Sequence, residues 1–420
     1  MSDSEQETRG AVEAVWRIEA ARVVAGIARV VRDVGLAEEL AQDALVAALE
    51  QWPRDGVPER PGAWLTAVGK RRAVDLIRRD QTYARKLEEV GRAAAGEDSE
   101  AELDAVLEKI DDDIQDDLLR LVFTACHPVL STEARVALTL RMLGGLRTEE
   151  IARAFLVPEA TVAQRIVRAK KNLAKAHVPF EVPRGEERAE RLPSVLEVIY
   201  LVFNEGYSAT AGDDWMRPAL CEDALRLARV LQGLMPEEPE VHGLAALLEI
   251  QASRQPARTG PDGEPVLLMD QNRSRWDHLL IRRGFTALAR AETAHPGPYA
   301  LQAAIAACHA SAPDAADTDW HRIALLYGQL ARIAPSPVVE LNRAVAVARA
   351  DSPRKGLEIV DALVDEPALR DYHLLPSVRG DLLERLGRRA EARAEFERAA
   401  ALTRNEKERA LLLDRAAANA

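Results

Sequence analysis

Hydrogen-bond donors recur along one side of a helical pattern that follows Pro158. Val162, Ile166 and Leu173 have the spacing of the buried side of a helix, and a proline suits its first turn. The opposite side carries hydroxyl, amide and cationic donors, namely Thr161, Gln164, Arg165, Arg168 and Lys171. Such donors contact phosphates and the acceptor edges of bases in a DNA major groove. The pattern therefore predicts a helix that binds DNA.

A shorter helical pattern before Pro158 completes a helix-turn-helix. Thr148 can cap this helix, and Ile151 and Phe155 share its inward face. Between residues 147 and 175 there are seven Lys or Arg residues against three Glu, although the whole chain has a formal charge of −12. This local excess favours a DNA-binding role, while a solvated amphipathic helix is the alternative interpretation.

A second basic segment, residues 60–86, mixes cations with aromatic rings. Flat rings stack on unpaired bases while cations follow the nucleic-acid backbone. The segment is therefore typical of a surface that holds a melted strand. The candidate residues are Trp64, Lys70, Arg71, Arg72, Arg78 and Arg79.

The two segments and their spacing resemble the extracytoplasmic-function group of bacterial RNA polymerase sigma factors, which keep only regions two and four. The resemblance rests on Ala-Glu-Glu-Leu-Ala-Gln-Asp-Ala-Leu at 37–45, Arg-Pro-Gly-Ala-Trp-Leu at 60–65 and Val-Asp-Leu-Ile-Arg-Arg at 74–79. It implies region two over residues 8–82 and region four over residues 112–178. Core RNA polymerase and promoter DNA are the partners that it implies.

The resemblance also assigns roles by position. The first stretch would dock on the clamp of the polymerase largest subunit through Glu39, Gln42 and Asp43. The loop Trp52–Pro61 and the following helix would handle the downstream promoter element. Gln164, Arg165 and Arg168 would enter the groove of the upstream element. One departure from the family pattern is Arg71, which stands where many relatives have Asn.

Composition predicts an all-α protein of two or three domains. Apolar residues make up 47% of the 420 residues and aromatic residues only 4%, which is typical of packed helices, and the length exceeds what one core usually holds. No apolar run of about 18 residues and no export signal are present. We therefore expect a cytoplasmic chain that does not interact with a membrane.

The three cysteines, Cys126, Cys221 and Cys308, lack paired spacing, so we expect buried free thiols. Cys126 beside His127 suggests a catalytic dyad, but sequence neighbours on a helix rarely face each other. We predict no catalytic residue, no metal site and no cofactor, so the protein is not expected to be an enzyme.

Residues 83–111 are predicted to form an acidic linker. From 88 to 117 the chain holds 13 Asp or Glu residues against Arg92 and Lys109, and it has little apolar surface to bury. A tether is the simplest role for such a segment. In the family this connection enters the polymerase near the RNA exit path, which makes mimicry of nucleic acid the alternative.

Residues 190–420 exceed what a minimal sigma factor needs. Residues 343–360 match 379–396 at an offset of 36, and both stretches predict a helix pair with a small residue at the crossing. Repeats of about 34 residues are the signature of tetratricopeptide solenoids. Over its whole length the chain resembles sigma factors of this group that carry a tetratricopeptide-like extension, on which an unknown ligand or protein could act.

Two polar loops in this extension, 204–215 and 268–278, mix acids, amides and tryptophan. Their candidate regulatory residues are Asp213, Asp214, Asp270, Arg273, Trp276 and His278. A ligand or metal pocket is one interpretation. Capping of helix ends, which would fasten the extension, is the interpretation that the sequence favours.

Three functions are compatible with these patterns. The first is a promoter-recognition sigma factor that its own fused helical domain regulates. A DNA-binding repressor with a helical-repeat sensor leaves the 37–45 helix and Trp64 without a role. An enzyme built on residues 190–300 would have to use the two polar loops.

Overall fold

The computed structural model describes residues 3–89, 114–155, 157–208, 211–212, 215–261 and 264–420. The chain is all-α, as its composition predicts. It forms two compact units, Met1–Ile199 and Tyr200–Ala420. The predicted acidic linker, residues 83–111, lies for the most part outside the described residues, and Asp213 and Asp214 lie outside them too.

The first unit begins with three long helices and continues with four shorter ones. The long helices are α1 (Asp3–Val31), α2 (Val34–Asp55) and α3 (Pro61–Glu89). The shorter helices are α4 (Ile114–Ala125), α5 (Thr132–Met142), α6 (Thr148–Ala154) and α7 (Glu159–Lys175). Helix α8 (Gly185–Tyr207) begins in the first unit and ends in the second.

Helix α2 runs further than its proline suggests. It starts at a cap in which Asp33 Oδ1 accepts from the Leu36 amide at 2.8 Å, and Pro53 lies inside its last turn. The helix ends at Gly56, whose φ of +83° suits glycine and whose amide donates to the Trp52 carbonyl. The prediction of a loop that starts at Trp52 is therefore wrong for the first residues, because Trp52 lies in α2 and is only 2% exposed.

The helix-turn-helix consists of α6 and α7. Thr148 is the first helical residue rather than the cap, and the Glu150 carboxylate accepts from the amide of Arg147, the residue before α6, at 2.7 Å. In α7 the buried residues are Val162, Ile166, Ala169 and Leu173. The predicted inward face of the second helix is thereby confirmed.

The second unit holds ten further helices in its described residues. The first five are α9 (Pro218–Leu234), α10 (Pro239–Ala252), α11 (His278–Ala291), α12 (Pro298–Ser311) and α13 (Trp320–Ile333). The others are α14 (Pro337–Ala350), α15 (Pro353–Asp361), α16 (Leu374–Arg385), α17 (Arg389–Leu402) and α18 (Glu406–Ala418). Strand β1 (Ala211–Gly212) pairs in parallel with β2 (Arg404–Asn405), near the end of the chain.

Both helix pairs predicted from the internal repeat are present, as α14 with α15 and α16 with α17. A Cβ added to Gly356 would lie 2.4 Å from the Ala348 Cβ, and one added to Gly380 would lie 2.8 Å from the Phe396 ring. The helices of each pair therefore cross closely at a small residue. The likeness to tetratricopeptide repeats stays a prediction.

The three cysteines are free and buried, which confirms the expectation of unpaired thiols. Burial raises the pKa of the Cys126 thiol to about 11 and that of Cys221 to about 12. Cys126 Sγ lies 3.4 Å from the Thr139 hydroxyl rather than beside a base. A buried thiol that stays protonated is a poor nucleophile, so the dyad has no support here.

Candidate nucleic-acid and polymerase interface

The donor side of α7 faces solvent. Gln164, Arg168 and Lys171 are exposed, and Thr161 and Arg165 are half-buried. These side chains lie on the side of the helix away from buried Val162 and Ile166. The structure thus presents all five predicted DNA-binding residues of this helix on one accessible surface, which we call the α7 donor face.

The α7 donor face is held in place by apolar packing behind it. Helix α7 packs against α5 and α6, where Leu138, Leu140, Met142 and Ile151 are almost fully buried. Helix α5 starts at a cap in which Ser131 Oγ accepts from the Ala134 amide. Helix α5 thus braces the helix-turn-helix directly.

A buried carboxylate links this scaffold to α2. Glu38, only 6% exposed, accepts from Arg141 Nε of α5 at 2.9 Å and from Lys170 Nζ of α7 at 2.5 Å. Arg141 also donates to the Leu146 carbonyl at 3.2 Å, in the turn before α6. We call these three side chains the Glu38 bridge. It joins the predicted region-two helix α2 to the predicted region-four helices.

A second link runs between α1 and α4. Asp117 is 3% exposed, lies 3.6 Å from Arg29 of α1 and forms a 2.6 Å ion pair with Arg120 on its own helix. In each link, a buried acid of one predicted sigma region lies against a cation of the other region. The two predicted sigma regions are therefore packed together within this unit.

Helix α3 carries the second basic surface. Arg71, Arg78 and Arg79 are exposed, whereas Trp64, Lys70 and Arg72 are half-buried. The Trp64 ring packs edge-on against buried Trp52, with centroids 5.5 Å apart. This contact fixes one edge of Trp64 and leaves part of the ring accessible. A partly accessible ring among exposed arginines fits a surface for unpaired bases.

The predicted polymerase-binding residues lie next to this basic surface. Glu39 and Asp43 are exposed on α2, and Gln42 is half-buried. Asp43 Oδ2 lies 2.9 Å from Arg72 Nη1 of α3, and both side chains remain substantially exposed. The structure therefore brings one predicted polymerase-binding residue into contact with one predicted DNA-binding residue.

The loop residues of the second unit hold helix ends. Arg273 donates to the carbonyls of His309 and Ala312 and to the Thr318 hydroxyl, and its guanidinium lies 4.9 Å from the ring of buried Trp276. Asp270 and His278 are exposed. Within the described part of the chain, no group of three or more His, Cys, Asp or Glu could hold a metal ion. These contacts are those that the capping interpretation expects.

The Glu38 bridge did not emerge from the residue pattern. Its signal was an acid on the buried stripe of α2, since the helical neighbours Val34 and Ala41 are apolar and buried. An acid at such a position needs a cationic partner. Which cations supply it, Arg141 and Lys170, follows only from the fold.

Three families match separate parts of the chain. Sigma-70 region 2 matches residues 18–83, and Sigma-70, region 4 matches residues 120–173. A family of unknown function, DUF6596, matches residues 191–292. In the described residues no helix is both long and apolar enough to cross a membrane.

The chain also has relatives of different length. An uncharacterized protein of Rhizobium meliloti is 44% identical over 392 residues, which cover 93% of this chain and 92% of that protein. The probable ECF RNA polymerase sigma factor SigI of Mycobacterium tuberculosis is 28% identical over 177 residues, 42% of this chain and 59% of SigI. The ECF RNA polymerase sigma factor SigK of Mycobacterium ulcerans is 29% identical over 156 residues, 36% of this chain and 78% of SigK.

The helix-turn-helix, the basic α3 helix and the two sigma-70 matches define a sigma factor, a protein of transcription initiation. The chain belongs to the same family as the Rhizobium meliloti protein, which it matches over nearly its whole length.

We expect Glu38→Gln to lower the free energy of unfolding of the first unit by roughly 3 kcal/mol, because it leaves Arg141 and Lys170 without their shared carboxylate. Chemical denaturation of the full chain, followed by helical circular dichroism, measures this loss. The matched control is Asp43→Asn, which breaks an exposed pair and should cost less than about 1 kcal/mol. Equal losses in the two variants would show that the Glu38 bridge is not a structural link.

Proposed function

We propose that the protein binds core RNA polymerase and directs it to promoters, with α7 reading the upstream element and α3 holding the downstream element. The observation that carries this proposal is the α7 donor face, which presents five hydrogen-bonding side chains to solvent on a firmly packed scaffold. Major-groove recognition needs such a rigid helix with several donors on one side. The function is one of binding, and no catalytic step is part of it.

The surface around α2 favours a sigma factor over a repressor. A repressor needs the helix-turn-helix but has no use for a polar patch of Glu39, Gln42 and Asp43 on a separate helix. The two sigma-70 matches, residues 18–83 and 120–173, contain this patch and the helix-turn-helix respectively. We therefore assign this patch to core-polymerase docking.

We further propose that the helical extension regulates the sigma unit. Covalent attachment gives a tethered domain an effective concentration in the millimolar range, so even weak docking can bias the unit toward one arrangement. Helix α8 supports this role, because its Arg191 donates to the Phe123 carbonyl of α4 at 2.9 Å and its Ser194 donates to the Cys126 carbonyl at 2.7 Å. The helix that leads into the extension is thus anchored on the predicted region-four scaffold.

Replacing Arg165 or Arg168 by Ala should reduce promoter discrimination by about 1–3 kcal/mol if the side chain reads a base. The measurement is binding of the polymerase holoenzyme to a promoter duplex and to a scrambled duplex, with promoters taken from transcription start sites mapped after overexpression. Arg290→Ala, an exposed arginine of the second unit, is the control. Unchanged promoter affinity in both α7 variants would remove this helix from DNA recognition.

Asp43→Lys should weaken retention of core polymerase while leaving the thermal midpoint nearly unchanged, because the exposed pair with Arg72 contributes little to stability. Pull-down of core polymerase by the tagged full chain measures the effect. Arg72→Ala breaks the same pair without reversing the charge of the patch. It therefore distinguishes the effect of losing the ion pair from the effect of reversing the charge at position 43. The docking assignment fails if Asp43→Lys retains polymerase as well as the unchanged chain does.

A chain that ends at Ile199 keeps the Arg191 and Ser194 contacts but lacks the second unit. We expect its transcription from a mapped promoter to differ strongly from that of the full chain, because the regulating domain is gone. Run-off transcription with purified core polymerase measures the output, and circular dichroism checks that the shortened chain is folded. Equal output from the two chains under every condition would show that the extension has no regulatory role.

A further inference from the structure

The second unit encloses a cavity of about 440 Å³ among helices α8, α10, α12, α13 and α14. This volume lies in the range of sites for small organic molecules. The wall combines aromatic rings with polar groups, including Tyr200, Tyr207, Arg254, Gln302, His309 and Asn342. The wall also includes Asn204, Tyr207 and Leu268 from the two polar loops, although none of the candidate regulatory residues of those loops that the structure describes lines it.

The cavity holds a cation without a carboxylate. Arg254 Nε donates to the Tyr207 hydroxyl at 3.0 Å, and its Nη2 donates to the same hydroxyl and to Gln251 Oε1. None of the cavity-lining residues described is Asp or Glu. Among the described residues, no acid forms an ion pair with Arg254. No described residue of the cavity wall therefore offers a carboxylate to this positive charge.

Two neighbouring arginines add to this positive potential. Arg258, which is 7% exposed, donates to the Tyr207 carbonyl, and its guanidinium lies 3.5 Å from the Tyr207 ring centre. Arg273 donates to two carbonyls and a hydroxyl. Burial lowers the pKa of Arg258 to about 10, which still leaves it charged at neutral pH. Glu408 acts electrostatically on Arg258, and Asp314 and Asp317 act on Arg273. Among the described residues, however, none of the three arginines forms an ion pair, and their hydrogen bonds go to carbonyls, hydroxyls and an amide oxygen.

A histidine in the wall has a buried ring nitrogen without a hydrogen-bond partner. His309 is 8% exposed, and its Nδ1 is buried without a hydrogen bond. Burial, together with the charges of Arg254 and Arg273, lowers the pKa of His309 to about 3, so the imidazole is neutral at physiological pH. A buried polar atom left without a partner costs free energy. A bound molecule that hydrogen-bonds Nδ1 would remove that cost.

The rest of the wall suits a flat body. Tyr200, Phe203, Tyr207 and Tyr327 line the cavity, and the Phe203 and Tyr207 rings stack 5.5 Å apart. Burial raises the pKa of Tyr327 to about 12, so its hydroxyl stays protonated. The Tyr200 hydroxyl donates to Gln302 Oε1 at 3.3 Å, and Gln302 Nε2 donates to the Pro298 carbonyl at 3.2 Å, so these polar groups of the wall are held in place. Aromatic walls with a few polar groups are typical of small-molecule sites.

We propose that this cavity binds a small organic anion, whose oxyanion group pairs with Arg254 and whose flat apolar body lies among the tyrosines. The anion supplies the charge that the wall lacks, and a polar atom on its body can meet His309 Nδ1. The assignment concerns binding alone, so it can fail without affecting the proposed role in transcription, and the reverse is also true.

A matched pair of fluorescent probes tests the charge requirement on the full chain. Anilinonaphthalene sulfonate carries a flat aromatic body and one oxyanion, and phenylnaphthylamine has the same rings without the anion. We expect the sulfonate to bind at one site per chain, roughly tenfold or more tighter than the neutral amine, because a hydrogen bond to a charged group contributes that much.

Two variants locate the site. Arg254→Gln removes the charge, and Ala306→Phe fills the cavity beside His309. Each should weaken sulfonate binding roughly tenfold or more, and Arg254→Gln should leave the weak binding of the neutral amine unchanged. Arg290→Gln removes an exposed charge from the same unit and is the control. Circular dichroism at the assay temperature confirms that each variant is folded.

The outcomes separate clearly. Selective, stoichiometric sulfonate binding that both cavity variants lose and the control keeps would support the site. Equal binding of the two probes, or sulfonate binding that survives both Arg254→Gln and Ala306→Phe, would overturn it. Loss of binding in the Arg290→Gln control to the same extent would also overturn it, because the attraction would then be that of the general surface charge.

Discussion

The arrangement of the first unit depends on one buried carboxylate that needs two cations. Glu38 lies on the apolar stripe of α2, where an unpaired charge would be costly, and Arg141 and Lys170 compensate it. Because Lys170 turns toward α2, α7 is fixed about its own axis, and Gln164, Arg168 and Lys171 remain in solvent. The same ion cluster therefore holds the predicted sigma regions together and orients the surface that we assign to DNA. Any change that separates the two regions must first supply water or another partner to Glu38.

Periodicity predicted the helices well because apolar spacing reflects burial directly. The inward face of α7 follows from Val162, Ile166 and Leu173, and the repeated helix pairs follow from small residues at equivalent positions. The ends of the helices were predicted less accurately than their buried faces, for a physical reason. Pro53 did not end α2: a proline removes one backbone donor, its own, but the helix continues to the left-handed Gly56. Helix α6 begins at Thr148 itself, one residue earlier than a cap at Thr148 would allow.

Residue types alone could not identify which polar groups are paired across the fold. Arg72 looked like its neighbour Arg71 in the sequence, yet it contacts Asp43 while Arg71 is exposed. Arg273 appeared in a polar loop suited to a ligand, but it binds the carbonyls at the end of α12. The Arg254 cavity is the extreme case, because its wall combines residues of five helices with Arg254 and Leu268 between helices, and long stretches of chain separate them. The polar loops contribute Asn204, Tyr207 and Leu268 to it, but no local pattern shows that Arg254 and His309 meet them.

Charge in this protein acts locally rather than as a total. A formal charge of −12 would seem to disfavour both DNA and an anionic ligand, but at physiological salt the field of exposed charges decays over about 8 Å. Within that distance of the α7 donor face lie the cations of the face itself. Within that distance of the cavity lie Arg254 and the neighbouring arginines. Burial strengthens the field of the arginines at the cavity, since charges removed from water are screened less. The acidic total thus limits nonspecific attraction to nucleic acid, while the two positive surfaces keep their local preference for anions.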